Sequence, residues 1–443
     1  MSIRLRSRRR RIDLAVPPRG SRALPALAAI LFTGGHAVAQ APQPLTLAAL
    51  LDSVARHPAV EAAQAHVRAA QGSRITSGAF GNPIFSYQVD NTPFPGGSSV
   101  RGIDREGMTT VTLPLEPLYQ RGARMRMADA QIRSATDDAF ATRQRVALEA
   151  SRAYYRTALA QIGVATSRDL LAWLDSVVTY NRSRVEEGAA AEADLIRSQL
   201  ERDRAAVDLT MQEADLAEAR ANLAAFLGDP RGVDLRFLNV AIDERPLSLP
   251  SGLIAGTGEN RPELRSARER LTAATAGTSI ERAMIFRQLG ATIGTKQTAG
   301  TTSMIAGVSL PIPLFDPNRG EIARAKAERD AAAFDLATVE RETTAGVAAA
   351  SRGAELLTER ANAFAEGVQP PLLVRAGEAR RIALGAYREG AASLIQVLDA
   401  ARASADARLA YYRLIYAQRE SVVKLIVANG DDLTKTLNSL SSR

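Results

Sequence analysis

Four short stretches of this 443-residue chain alternate apolar with small or polar residues at every second position, the period of a strand with one apolar face. Phe85, Tyr87 and Val89 alternate with Ser86, Gln88 and Asp90. Thr109, Val111 and Leu113 alternate with Thr110 and Thr112, and Leu289, Ala291 and Ile293 with Gly290, Thr292 and Gly294. Met304, Ala306, Val308 and Leu310 alternate less cleanly with Ile305, Gly307 and Ser309. Long helical stretches follow each pair, their apolar positions mostly Ala, with Glu and Arg around the rest. From Arg121 to about Tyr180 there is no proline, and one helix of that length would measure about 90 Å at 1.5 Å per residue. Glu192 to Leu227 and Glu321 to Glu366 are of the same kind. Such helices suit side-by-side coiled-coil packing, in which Ala permits close approach, better than a thick globular core.

The pattern is written twice. His57-Pro58-Ala59-Val60 is echoed by Arg261-Pro262-Glu263-Leu264, Val111-Thr112-Leu113-Pro114-Leu115 by Val308-Ser309-Leu310-Pro311-Ile312, and Glu187-Gly188-Ala189-Ala190 by Glu389-Gly390-Ala391-Ala392, each about 200 residues on. The expected organisation is a first repeat at 40–228, with an opening helix from Leu47 to Ser77, a hairpin about 82–115 and long helices over 121–227. A Pro- and Gly-rich linker at 229–260 has no strong period. A second repeat at 261–430 has an opening helix from Pro262 to Phe286, a hairpin about 286–312 and long helices over 320–429. Residues 431–443 read as a loose tail.

Each hairpin carries a polar, Gly-rich loop (Asn91 to Gly107; Lys296 to Ser303). Proline-rich joints link strand to helix. Pro114, Pro311 and Pro313 cannot continue a ladder, and Gly320, like Gly122, follows before the next helix. The alternation fits a membrane-barrel strand or a half-buried hairpin on a soluble domain. Helices without a large apolar surface give such a sheet nothing to cover, which favours the barrel. Four strands cannot close one, since about eight is the minimum, and open edges are not tolerated in lipid. Several chains would therefore pool their strands, and three would give twelve.

Charge first suggests a polyanion partner, because the formal net charge is +8. Residues 1–39, however, hold eight arginines against Asp13, and the rest of the chain balances 48 basic with 47 acidic residues. Nucleic-acid binding loses its support. The Arg cluster, the apolar stretch Ala23 to Phe32 and Ala37-Val38-Ala39 read as a secretory signal over 1–39, with Gln40 as the mature N-terminus. The alternative is a basic tail on a cytosolic protein. Cysteine is absent, which excludes disulfides, thiolate metal sites and a lipid-modified N-terminal cysteine, so no lipoprotein is expected. The mature chain keeps only His57 and His66, both on the opening helix, and no phosphate-binding loop or nucleophile–base pair stands out. No enzyme activity, cofactor or metal site is expected.

Leu45-Thr46-Leu47-Ala48-Ala49-Leu50 with His57-Pro58, Gly81-Asn82-Pro83-Ile84-Phe85, the run from Gly307 to Phe315, Asn318-Arg319-Gly320, and Ala386-Tyr387-Arg388-Glu389-Gly390 through Val397-Leu398-Asp399-Ala400 together resemble the TolC-like outer-membrane efflux family, from about residue 45 to 430. Arg121-Gly122-Ala123-Arg124 looks closest to its metal-cation and solvent efflux branch.

The resemblance implies a mainly α fold with a small membrane β part. It implies a homotrimer whose 12-stranded β-barrel, four strands per chain, sits in outer-membrane lipid and continues as a long α-helical coiled-coil barrel across the periplasm. It also implies a passive channel partnered by a periplasmic adaptor (membrane fusion protein) and an inner-membrane efflux transporter. The adaptor-contact tips fall on Val185, Glu187, Gly188 and Ala189, and on Tyr387, Glu389, Gly390 and Ala391. Asp194 and Asp399 fall at positions of a pore constriction, where threefold symmetry would make rings of three carboxylates favouring cations. Gln396 and Ala392 depart from the family's acidic and basic tip residues. Each tip glycine is also what any helical hairpin requires, and each Asp also suits a solvated helix face. The competing reading is a periplasmic coiled-coil structural or adaptor protein without a barrel.

Overall fold

Proline and the capping residues divide the chain into its elements. The computed structural model describes residues 44–92, 95, 97, 104–228, 234–286, 289–367 and 370–441. The expected signal segment and residues 229–233 lie outside them. The opening helix is two helices, α1 (Leu47–Val54) and α2 (Pro58–Gly78). The break comes at His57, whose backbone is extended and whose Nδ1 accepts from Ala59 N at 3.2 Å, while Pro58 takes the first helical position, where its missing N–H costs nothing. The first hairpin, β1 (Ile84–Asp90) and β2 (Glu106–Pro114), leads into α3 (Pro117–Glu186), 70 residues without an internal proline, and then α4 (Glu192–Ala224).

The linker carries the short α5 (Ser251–Ile254), and the second repeat runs through α6 (Pro262–Ala283), β3 (Gly290–Thr298) and β4 (Thr301–Ser309). Its first long helix ends close to the expected Glu366, and a further break separates it from the next helix. α7 (Arg319–Ala365) stops before Glu366, whose backbone is extended, and Gly367 at φ +93°; α8 (Pro371–Arg388) restarts on Pro371. Prolines at 370 and 371 remove two N–H donors and disfavour helical backbone before them, so α3 has no unbroken counterpart here. α9 (Leu394–Asn429) completes the repeat.

The hairpins join into one antiparallel sheet in the order β1-β2-β3-β4, with β2 and β3 pairing the two repeats. The second loop is shorter than expected. Thr298 pairs with Thr301 across Ala299 and Gly300, both at positive φ, which is a two-residue turn matching strand twist. Pro114 is the last paired residue of β2, opposite Gly290, and so does not lie beyond the strand, whereas Pro311 and Pro313 follow the end of β4. Gly320 is the second residue of α7, two residues after Asn318 and so inside the helix. Asn318 takes the left-handed conformation (φ +63°) and donates from Nδ2 to Glu281 O at 2.7 Å, docking the start of α7 on the end of α6.

The helices do hold one thick core, where the elements expected to be featureless pack on them. Residues 431–441 are no loose tail. After Gly430 (φ +83°) the chain forms α10 (Leu433–Ser441), and Leu433, Leu437 and Leu440 at helical spacing bury themselves in the same core as Leu50, Val54, Ile415 and Ile426. Leu433 N donates to Gln144 Oε1 at 3.3 Å, and Gln144 Nε2 donates to Asp431 O.

Residues 238–249 of the linker form an extended strap bound by side chains. Gln161 receives from Val240 N (2.8 Å) and donates to Val240 O (3.2 Å); Gln418 does the same for Leu247 (2.9 and 2.8 Å). Tyr154 and Tyr411 donate to the carbonyls of Ala241 and Glu244, and Asp243 N donates to Tyr416 Oη. Side chains thus supply the partners a ladder or helix would otherwise give.

Burial is the main influence that pushes the Tyr154, Tyr155 and Tyr416 phenols up, Tyr416 to about 12. A phenol with a raised folded pKa favours the fold while protonated. That contribution is complete below the unfolded value of 10.0 and lost as pH rises through about 12. The thermal midpoint of the folded protein is expected to hold up to about pH 10 and fall from there to about pH 12, with a smaller fall in Tyr416→Phe.

Candidate functional site

Two surfaces stand out, one on the sheet and one at the helix ends farthest from it in sequence. In the sheet, register decides the chemistry. Phe85 pairs with Val111, Val111 with Ile293 and Ile293 with Ala306; Tyr87 pairs with Thr109, Thr109 with Thr295 and Thr295 with Met304. Leu113, Ala291 and Val308 form a third row. The apolar sets of all four strands therefore share one face, since a slip of a single residue would have reversed one of them. That face is uncovered: Phe85, Tyr87, Met304 and Val308 are about two-thirds to three-quarters exposed. The opposite face carries Ser86, Thr110, Thr112, Thr292 and Ser303, with Glu106 and Lys296 paired at 2.6 Å. Among the described residues, β1 and β4 each keep one edge unpaired.

The two tips are built alike. Gly188 and Gly390 take φ +71° and +78°. At the first tip, Ala189 N donates to Arg184 O and Gly188 N to Val185 O; at the second, Ala391 N donates to Ala386 O and Gly390 N to Tyr387 O. This is the paired-bond helix ending that needs a left-handed residue, hence glycine. Glu187, Gly188 and Ala189 are exposed, as are Glu389, Gly390 and Ala391, while Val185 is half-buried. A Cβ on either glycine meets nothing within 4 Å. Gly390→Val should therefore cost only the backbone strain, about 1–2 kcal/mol, read as a lowered denaturation midpoint with the helix content unchanged.

Tyr387 does not lie on the tip surface. It is 5% exposed, in a small core with Leu174, Val177, Leu394 and Val397. Its hydroxyl donates to Asn181 Oδ1 at 2.6 Å, its ring meets Tyr180 edge-on at 6.0 Å, and the Arg184 guanidinium lies 5.7 Å from both rings. Asn181 and Tyr180 were not anticipated, and a buried polar residue at the end of an exposed helical hairpin has no marker in one sequence.

Asp194 and Asp399 are not equivalents. Asp194 sits in the first turn of α4, at the place Gln396 holds in α9. Gln396 caps its own helix, receiving from Ser393 N at 2.9 Å while Ser393 Oγ accepts from Gln396 N. Asp194 remains uncapped and half-buried, close enough to Tyr387 to help raise its phenol, after burial. Asp399 lies a turn further along, 3.8 Å from Arg402, which also pairs with Glu201 of α4. Among the described residues, no group of three His, Cys, Asp or Glu side chains is placed to hold a metal ion.

Comparison with known proteins adds relatives of one kind. Residues 253–431 match the family described as Outer membrane efflux protein. The chain is 28% identical over 324 residues to the nickel-cobalt-cadmium resistance protein NccC of Alcaligenes xylosoxydans xylosoxydans, covering 71% of each chain. It is 25% identical over 380 residues to the cobalt-zinc-cadmium resistance protein CzcC of Cupriavidus metallidurans, covering 84% of this chain and 87% of that one. Its fold matches the outer membrane protein VceC of Vibrio cholerae with a TM-score of 0.72 at 19% identity, over 87% of this chain and 96% of that one.

Proposed function

We propose that this chain is an outer membrane efflux protein and that three copies of it form a passive outer-membrane channel for divalent metal cations. An inner-membrane transporter would deliver the cations through a periplasmic adaptor seated on the tips. One observation carries the reading: a four-stranded sheet with a continuous uncovered apolar face and two free edges. Such a sheet is unstable in water and in lipid as it stands. Joining β4 of one copy to β1 of the next keeps the antiparallel alternation, and three copies close twelve strands with the apolar face outward and the Thr- and Ser-rich face lining the bore. The segment 1–39, read as a secretory signal, would direct the chain out of the cytoplasm.

The metal-resistance relatives support the cargo, and the carboxylates supply a means of favouring it. Of the two, Asp194 is the stronger pore residue, because Asp399 shares its charge with Arg402. A ring of three Asp194 carboxylates would attract cations without holding them. Asp194→Asn is expected to lower the cation-over-anion permeability ratio in planar bilayers severalfold, with a smaller change in Asp399→Asn.

The reading is tested by density-gradient fractionation combined with a gel shift on heating. The channel should band with outer membranes and run as a trimer until boiled. A chain that stays monomeric in the soluble periplasmic fraction would make it a coiled-coil structural protein instead.

A further inference from the structure

The arginines are not evenly spread. Beyond residue 39 the chain balances 48 basic against 47 acidic residues, yet residues 70–80 and 115–128 hold Arg74, Arg121, Arg124 and Arg126 against Glu116 alone. These segments meet where α2 ends and α3 begins, beside the entry to β1 and the exit from β2. Arg74 is committed to Asp129 at 2.6 Å. Arg121 is held by the chain itself: its Nε donates to Gly78 O at 2.8 Å, and its guanidinium lies 5.6 Å over the ring of Phe80, which is 62% exposed. Arg124 has Nε buried without an acceptor among the described residues. Arg126 is exposed, has no carboxylate partner among them, and shares a helix face with Leu118, which is 72% exposed. The matching place in the second repeat differs, because Arg324 there is bound by Glu321 and Glu328.

We propose that Arg121, Arg124 and Arg126, with Phe80 and Leu118, form a collar that binds the headgroups of anionic glycerophospholipids in the leaflet facing the periplasm. The proposal rests on the channel reading, since the uncovered face of the sheet must lie in lipid for the collar to meet headgroups. The chemistry suits that occupant. Exposed apolar and aromatic side chains continue from the lipid-facing sheet to the level of the headgroups, and guanidinium groups beyond them match phosphodiester oxygens in pairs. A surplus of basic charge at this level favours anionic over zwitterionic lipid. An arginine stacked on an aromatic ring is already ordered and loses little freedom on binding.

The test uses the purified full-length mature protein in detergent, equilibrated with dioleoyl phosphatidylglycerol or dioleoyl phosphatidylcholine, with retained lipids counted by native mass spectrometry. The wild-type trimer should retain phosphatidylglycerol in preference. The preference should fall about fivefold for each arginine removed in the series to Arg121→Gln, Arg124→Gln, Arg126→Gln. If the triple variant does not assemble, Arg126→Gln alone, which breaks no described contact with an acid, carries the same expectation. Equal retention of both lipids by an intact trimer overturns the collar and leaves the channel standing, as does a preference unchanged in the variants. If the arginines instead face the bore, the variants will change anion permeability and not lipid retention, which also overturns the proposal. A water-soluble monomer retaining neither lipid removes the channel reading together with the collar.

Discussion

Val111→Arg is expected to leave almost no assembled trimer in the outer membrane. Val111 lies mid-strand in β2, between Phe85 of β1 and Ile293 of β3, so its side chain belongs to the middle row of the uncovered apolar face. An arginine near the middle of the bilayer costs about 2–4 kcal/mol on the lipid face of a barrel. Three symmetric copies raise this to about 6–12 kcal/mol per assembly, comparable with the whole stability of a domain. Val89→Arg should be milder, because Val89 pairs with Gly107 one step from the end of the hairpin, where the guanidinium can reach the interface. The measurement is the heat-modifiable trimer band in purified outer membranes. Thr110→Arg, on the opposite face, serves as the control and should assemble; normal trimer in Val111→Arg would place this face away from lipid.

The second large effect lies in the helical body. Gln418→Leu is expected to destabilise the folded chain by about 3–5 kcal/mol. Gln418 is fully buried and occupies three partners at once: Leu247 N, Leu247 O and Thr358 Oγ1. Leucine of similar volume fills the space but leaves the half-buried N–H and C=O of Leu247 unpaired and takes the donor from the buried Thr358 hydroxyl, at about 1–3 kcal/mol for each group. Gln161→Leu should cost less, because Gln161 is half-buried and serves Val240 alone, whereas Gln418 is fully buried and also donates to Thr358. Denaturation midpoints followed by circular dichroism would separate the two. A Gln418→Leu midpoint equal to wild type would mean that the strap contributes nothing to stability.

Both variants act where one sequence is unequally informative. The sheet was legible because its signal is local. An alternation of period two marks the strands, and duplicated landmarks mark the repeats. The rule that a barrel has no edges in lipid then points to pooled strands. The tip glycines were legible for a similar reason, since the paired-bond helix ending has one residue requirement and it appears twice. Pro262 at a helix start belongs with them, whereas the break at Pro58 was not legible in a pattern that reads as one helix from Leu47 to Ser77.

Other features depended on groups distant in sequence. Leu433, Leu437 and Leu440 have helical spacing, but nine residues are too few to hold a helix alone, so α10 exists through the core formed by α1, α3 and α9. The strap has no periodicity because its partners are Gln161, Gln418 and three tyrosines about 80 to 170 residues away. Asp194 and Asp399 looked alike as lone acids past a turn; their different places along α4 and α9, and Arg402 between Asp399 and Glu201, set them apart.

Sequence by itself determined the periods, the duplication, the glycine turns and the apolar side of each strand, because these follow from backbone geometry within a few residues. Tertiary structure alone decided which strands are neighbours, that their apolar sides coincide, and where the strap and the last helix find partners. Those outcomes depend on hydrogen bonds and buried contacts between residues that no local pattern relates.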